Sequence, residues 1–247
     1  MIPSLSTLQW VTAAACSLMV GLTKTGLPAL ATLIVPLFAM VLPARASTGA
    51  LLPLLIFGDA IAVLSYRRTA VWRHLVRLLP WAVGGIVIGF FLMGRIDDRI
   101  MRPVLGGVVL VMLAASTWRD IATRGKAAVP TQWWFAAIMG LLAGTTTMVA
   151  NAAGPVMMIY LLAMRLPKDE FIGTSAWFFF FVNWIKLPFS AGLGLITPQS
   201  LLLDAVLAGG VLVGAAAGIL TARRIPEKAF GIAMLALTAV AAVRMFF

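Results

Sequence analysis

The chain has 247 residues, of which 62% are hydrophobic and 11% are charged, and its mean hydropathy is +1.04. These values exclude an ordinary soluble domain and are typical of a polytopic α-helical membrane protein. The net charge of +11 would suggest nucleic-acid binding in a soluble protein. Here the basic residues lie in short loops between apolar segments, where they orient the chain and meet anionic lipid, so no nucleic-acid partner is expected.

Apolar runs between polar breaks predict the helical segments in chain order. They are 5–22, 27–42, 47–66, 75–94, 103–118, 132–150, 154–164, 171–195, 201–221 and 229–247. The first run has no basic leader before it and no small-residue cleavage site after it, so we expect a retained span and not a cleaved signal.

The second and seventh segments are short, and each follows a break rich in Gly, Thr or Asn. This pattern predicts helical hairpins over 5–42 and 132–164, each with a non-helical tip. The alternative is one broken helix that crosses the membrane once. Hairpin arms of 16 to 18 residues would rise about 24–27 Å, nearly a full span, but the sequence leaves re-entrant arms open.

The sequence is internally duplicated. The glycine pattern of 84–89 recurs at 209–214, and 21–36 corresponds to 140–155. The segment 49–59 corresponds to 173–183, which aligns Asp59 with Asn183. Residues 1–247 therefore form a single transmembrane domain with repeats of about 5–118 and 132–247. The repeated glycines predict close contacts between helices.

The positive-inside rule favours hairpins that return to their starting side. Apart from Lys24 and Lys186, returning hairpins place 12 basic residues on one face and 5 on the other, whereas single crossings give 8 and 9. The returning arrangement puts both termini outside the cytoplasm and gives each half an odd number of crossings. The predicted fold is all-α, with two inverted repeats that each contain a helical hairpin plus three transmembrane helices.

Two non-helical breaks at matching places in inverted halves are a sequence indication of a substrate site. Each break runs into a short helix led by proline, at Pro28 and at Pro155. The unpaired N–H groups of such helix starts attract anions such as a sulfonate, sulfite or carboxylate. The alternative is that these prolines only shape the hairpins.

Ionisable residues within spans are costly and are therefore functional candidates. Lys24 and Lys186 would supply positive charge for an anion, whereas Asp59 would hold one lysine in an ion pair or carry a coupling proton. The alternatives are an interfacial, snorkelling Lys24 and a purely structural Asp59, and Asp204 is expected at the membrane interface. Most of the aromatic run 177–181 is expected to face lipid or other helices. The predicted substrate-binding residues are Lys24, Thr25, Gly26, Asn151, Gly154, Asn183 and Lys186.

The glycine-rich sequence of 21–28, followed by Val35-Pro36-Leu37, resembles the first hairpin of the TauE/SafE sulfite-exporter (TSUP) membrane proteins. The second half carries a matching pattern at 153–155, 160–162, 173–174, 180–183 and 186–188. The resemblance covers about 10–245. It implies transport of sulfite, sulfonates, sulfoacetate-like compounds or related organic anions across the inner membrane.

The predicted function is therefore secondary transport of a small organosulfur anion by alternating access, in a multi-pass protein of the inner (plasma) membrane. The coupling ion, proton or sodium, stays open, and a homodimer is expected only as a general habit of small permeases. A cation or metal permease is the alternative in the same class, but its clustered ligands are missing. An intramembrane enzyme is the other alternative. One cysteine and one histidine leave few groups for acid–base chemistry, so we expect no catalysis, no metal and no cofactor.

Overall fold

The computed structural model describes residues 5–26, 31–38, 40–42, 44–93, 110, 114, 132–226, 229, 232, 236, 239–240 and 243. In these ranges the chain forms helices and contains no strand. The helices are α1 (Thr7–Thr25), α2 (Ala31–Phe38), α3 (Ala44–Tyr66), α4 (Trp72–Met93), α5 (Trp133–Ala150), α6 (Ala153–Ala163), α7 (Lys168–Gly192) and α8 (Pro198–Arg224). The predicted spans 103–118 and 229–247 lie almost wholly outside the described residues.

Four of these helices are long and apolar enough to cross a membrane, which confirms the predicted all-α polytopic class. They comprise Ala46–Tyr66, Trp72–Met93, Trp133–Ala150 and Pro198–Arg224. Local sequence sets the helix ends. Ser6 caps α1 in a capping box with Gln9, and Thr197 caps α8 with Ser200. Such boxes pair N–H groups that would otherwise be unsatisfied.

Both hairpins return to the side from which they start. Gln9 Nε2 donates to Val41 O at 3.3 Å, so after α2 the chain is again level with the start of α1. In the second hairpin, the ring of Tyr160 on α6 stacks on Phe135 near the start of α5, with 5.7 Å between centroids. The 11 residues of α6 rise about 16 Å, too little to cross a hydrocarbon core of about 30 Å. It is also shorter than α5, whose 18 residues rise about 27 Å.

The two halves pack against each other through corresponding helices. The fourth helix of each half lies along the first helix of the other, as α4 on α5 and α8 on α1. In the centre, α3 and α7 run antiparallel, because Asp59 contacts Asn183 while Tyr66 lies beside Gly173. Inverted repeats require this geometry, and the repeat relationship itself stays a prediction.

The repeated glycines explain how these helices approach so closely. At four of the six positions an added Cβ would overlap the facing helix, which confirms the predicted close contacts: these are Gly85, Gly89, Gly210 and Gly214. The prediction is wrong for the first glycine of each motif. Gly84 has only an ordinary contact 3.5 Å from Leu141 Cδ2, and Gly209 has no described atom within 4 Å.

These two environments predict opposite effects for one substitution. A Cβ at Gly214 would lie on the carbonyl oxygen of Leu18, so Gly214→Ala must push α1 and α8 apart. We expect a loss of about 1–3 kcal/mol in the free energy of unfolding. Gly209→Ala is the matched control, since it adds the same methyl where no described atom lies within 4 Å and improves helix propensity by about 1 kcal/mol. Thermal unfolding in detergent checks both variants. Equal melting temperatures would contradict the packing argument.

Candidate functional site

A cavity lies where the two halves meet, and both hairpin breaks border it. Its walls come from α1 and α2 of the first hairpin, α3, the α5–α6 break and α7. Five of the predicted residues line it, namely Lys24, Asp59, Asn151, Gly154 and Asn183. The rest of the wall is largely apolar, so the polar groups stand out as a small cluster.

Asp59 is at the centre of this cluster and is fully buried. Its Oδ1 lies 2.7 Å from Lys24 Nζ, and its Oδ2 accepts a 2.6 Å hydrogen bond from Asn183 Nδ2. The Lys24 ammonium also lies 4.6 Å from the centroid of the Phe179 ring, within range of a cation–π contact. The ion pair predicted as one role of Asp59 is thus present. Lys24 points into the protein and does not snorkel to the interface.

Asp59 and Asn183, which the predicted repeat alignment makes equivalent, bond directly to each other. Such a contact is expected where an axis relating two inverted repeats would pass. The pair is asymmetric, because one member is the carboxylate of Asp59 and the other is the amide of Asn183. The amide donates to Asp59 Oδ2, and Asp59 Oδ1 is left to pair with Lys24.

Lys186, also predicted to bind substrate, does not itself line the cavity but lies behind Thr147 and Asn151, which do, and it is 1% exposed. Its ammonium donates to Thr147 O at 3.1 Å and to Asn151 Oδ1. Asn151 in turn donates from Nδ2 to Thr48 O on α3 at 2.9 Å. Asn151 has a left-handed backbone with φ 50° and ends α5. The hairpin tip is therefore held to α7 by Lys186 and to α3 by Thr48. The carbonyl group of Thr147, near the end of α5, thereby gains a hydrogen-bond partner.

The cluster contains two basic side chains, Lys24 and Lys186, and one acidic side chain, Asp59. Lys24 is neutralised by Asp59, whereas Lys186 has no carboxylate within 4 Å among the described residues. A buried ammonium without a counter-ion is unfavourable even when hydrogen-bonded. A small anion that entered the cavity would supply the missing charge.

The start of α6 adds polar backbone to the same wall. The helix begins at Ala153, and Gly154 in its first turn lines the cavity. Pro155 is the third residue of the helix, still within the turn whose N–H groups have no partner inside the helix. In the first half, α2 begins at Ala31, which also lines the cavity. Pro28 lies outside the described residues.

Thr25 and Gly26 were also predicted to bind substrate, but they do not border the cavity. Thr25 Oγ1 donates to Ala215 O at 2.8 Å on α8, and Gly26 packs against the backbone of Gly218. Helical geometry explains the difference, because each successive residue turns by about 100°, so Thr23 and Lys24 face the cavity whereas Thr25 and Gly26 face α8.

The cavity also contains residues that the sequence reasoning missed, among them Ser175 and Phe179. Ser175, Phe179 and Asn183 recur every four residues on α7 and so share one face. That spacing was a usable signal, since Asn183 was already a candidate. Phe179 was not selected because most of the aromatic run 177–181 was expected to face lipid or other helices.

Asp204 lies within the first two turns of α8, which begins at Pro198, and it is 6% exposed. Its position at the membrane interface stays a prediction, since burial within the protein is not depth in the membrane. Within the described part of the chain, neither of its carboxylate oxygens has a hydrogen-bond partner.

A family model described as sulfite exporter TauE/SafE matches residues 13–245 of the chain. No curated protein and no solved structure matches the chain significantly. The family match includes both hairpin tips and the whole cavity cluster from Lys24 to Lys186.

Proposed function

Because the chain belongs to the sulfite exporter TauE/SafE family, whose members are membrane transporters, we propose that it carries a small organosulfur anion across the inner membrane by secondary transport. The predicted family resemblance is confirmed. Sulfite, a sulfonate and a sulfoacetate-like compound are the substrates that this proposal includes. No catalytic step forms part of it.

The observation that carries the proposal is the buried excess of basic over acidic side chains where the two halves meet. Lys186 contributes an ammonium that binds only neutral oxygens within the described residues. An oxyanion would accept hydrogen bonds from this ammonium and from the first turn of α6, and charge-assisted bonds of this kind are the strong ones. The apolar wall and Phe179 would contact the organic part of a sulfonate.

The arrangement of the halves suits alternating access. Helices α3 and α7 cross at the Asp59–Asn183 pair, while each outer pair, α1 with α8 and α4 with α5, contains one helix from each half. A rocking motion about the central pair would open the cavity to one side and then to the other. The tip of the second hairpin would move together with α3 and α7, because Asn151 is hydrogen-bonded to Thr48 and to Lys186.

The basic residues give the proposed orientation. Lys168 Nζ donates to Ile225 O at 2.9 Å, so the start of α7 and the end of α8 lie together. Thr69 Oγ1, after α3, would overlap a Cβ at Gly173 on α7. Arg67, Arg68 and Arg223 are close to these contacts in the chain. We assign this end to the cytoplasm by the positive-inside rule, which leaves the amino terminus outside.

A cation or metal permease is less well supported by the same cavity. Its carboxylate, Asp59, is already paired with Lys24. Among the described residues no cluster of His, Cys, Asp or Glu could hold a metal ion.

The test is anion flux in liposomes that contain the purified protein. Sulfite, sulfoacetate, taurine, thiosulfate, sulfate and acetate would be applied in turn, with tracer counterflow beside electrical recording so that electroneutral exchange is also seen. We expect saturable counterflow with sulfite or an organosulfonate and none with acetate. Empty liposomes and the Lys186→Met variant serve as controls. Absence of counterflow with every sulfur anion would overturn the proposed substrate class.

A further inference from the structure

Asp204 is a buried acid that the anion cavity does not use. It shares one face of α8 with Val211, Ala215 and Ala222, since spacings of seven, four and seven residues return to the same side of a helix. All four residues are buried. Neither oxygen of Asp204 has a hydrogen-bond partner in the described part of the chain.

This face of α8 is turned toward α1 and α3. Val211 Cγ1 would lie 3.6 Å from a Cβ on Gly58 of α3, and the Val211 carbonyl oxygen would meet a Cβ on Gly21 of α1. On either side of Asp204 in the chain, Leu203 and Leu207 belong to the apolar cluster formed with α1 and α3. The surroundings of the carboxyl group are therefore apolar.

The charged and titratable side chains that the structure describes on the packed helices are engaged elsewhere. On α1, Lys24 pairs with Asp59, and the Cys16 thiol lies 4.0 Å from Ile34 O. On α3, the Tyr66 hydroxyl donates to Thr25 O at 3.0 Å. Arg45, whose side chain is outside the described residues, precedes Gly49 by one turn, and Gly49 packs on Leu195, before α8 begins. Arg223 and Arg224 lie about 28 Å further along α8.

We propose that Asp204 is a proton-binding site, distinct from the anion site, and that it carries the proton that drives transport. A buried carboxylate without a partner is unfavourable, whereas the protonated acid is neutral and fits an apolar surrounding. Asp59 is poorly suited to this task, because Lys24 and Asn183 already stabilise its charged form. The carboxylate of Asp204 takes a proton from water on one side of the membrane and releases it to water on the other.

The position of Asp204 provides a route for coupling. It precedes Val211 by seven residues, about 10 Å along α8, and Val211 packs beside Gly58, the neighbour of Asp59. Both sites thus share the interface of α1, α3 and α8. A movement that opens this interface to water would allow Asp204 to ionise at the same time as it disturbs the Lys24–Asp59 pair. This coupling rests on the proposed transport function.

The experiment compares wild-type protein with Asp204→Asn in liposomes, using labelled sulfite with and without a pH gradient. The amide has the shape of the protonated acid but cannot release a proton. We expect Asp204→Asn to retain sulfite counterflow and to lose the gain in accumulation that the pH gradient gives to the wild type. Asp169→Asn, at an exposed acid in the first turn of α7, is the matched control and should keep that gain. A gradient response that survives in Asp204→Asn would overturn the proposal.

Infrared spectroscopy tests the proton site without transport. The wild type should show the carbonyl band of a protonated carboxyl group at neutral pH. This band should vanish in Asp204→Asn and shift in Asp204→Glu. It should persist in Arg45→Ala, because the proposal gives Arg45 no part in protonating Asp204. Absence of the band in the wild type would overturn the proposal even if anions are carried. If counterflow fails for every anion while the band is present, the proposed substrate class fails and the proton site stands.

Discussion

Replacing Lys186 by methionine is expected to weaken the binding of sulfite or an organosulfonate by about 10- to 100-fold. A hydrogen bond to a charged group contributes about 1.5–3 kcal/mol, and each 1.4 kcal/mol is a factor of ten in affinity. Methionine keeps most of the volume of the side chain but removes the ammonium that faces Thr147 and Asn151. The measurement is equilibrium binding of the labelled anion to purified protein.

Two further variants separate charge from structure. Lys186→Arg keeps a positive charge and should lose less affinity than Lys186→Met. Lys168→Met removes a lysine that contacts Ile225 O at the basic end of the molecule, away from the cavity, and should bind as the wild type does. Thermal unfolding of each variant shows whether the hairpin tip stays in place. If Lys186→Met folds normally and binds the anion with unchanged affinity, Lys186 does not belong to the site.

Much of the fold could be predicted from the sequence, because lipid imposes simple rules on it. Backbone polar groups must be paired within helices, so long apolar runs identify spans. The Gly/Thr/Asn breaks were predicted to be non-helical, but 21–25 and 144–150 form the last turns of α1 and α5, and only Asn151 and Ala152 separate α5 from α6. The bias of basic residues then distinguishes returning hairpins from single crossings. The length of α6 was harder to interpret, since an apolar run such as 154–164 does not reveal whether its helix crosses or turns back.

The charged members of the site were predictable for a related reason. A buried charge in a span requires a partner or a function, so Lys24, Asp59 and Lys186 stood out singly. Which neutral residues join them depends on how the helices face each other. Thr25 follows Lys24 in the chain but packs on Ala215, and the burial of Asp204 depends on how α8 packs against α1 and α3.

The Lys24–Asp59 pair gives the second large effect, on folding. Lys24→Met leaves a buried carboxylate with Asn183 as its remaining partner, and Asp59→Asn leaves an ammonium above the Phe179 ring. Removing one partner of a buried ion pair costs about 3–5 kcal/mol. The double variant removes both charges of this pair, and its free energy of unfolding should lie within about 1 kcal/mol of the wild-type value. The effects of the two single variants are therefore strongly non-additive, which corresponds to a large coupling energy. Chemical unfolding of the four proteins in detergent measures this cycle.

Anion binding to the same four proteins separates charge balance from contact. If the three groups are ionised, Lys24→Met removes the positive excess, Asp59→Asn increases it, and the double variant restores it through Lys186 alone. We expect Asp59→Asn to bind the anion most tightly, followed by the wild type, the double variant and then Lys24→Met. Because the anion replaces the missing carboxylate, it should also raise the melting temperature of Asp59→Asn more than that of the wild type. Equal affinity in the double variant and the wild type would mean that Lys24 only neutralises Asp59. In that case the anion is held by Lys186 and the first turn of α6, and the ion pair serves as the pivot about which the two halves move.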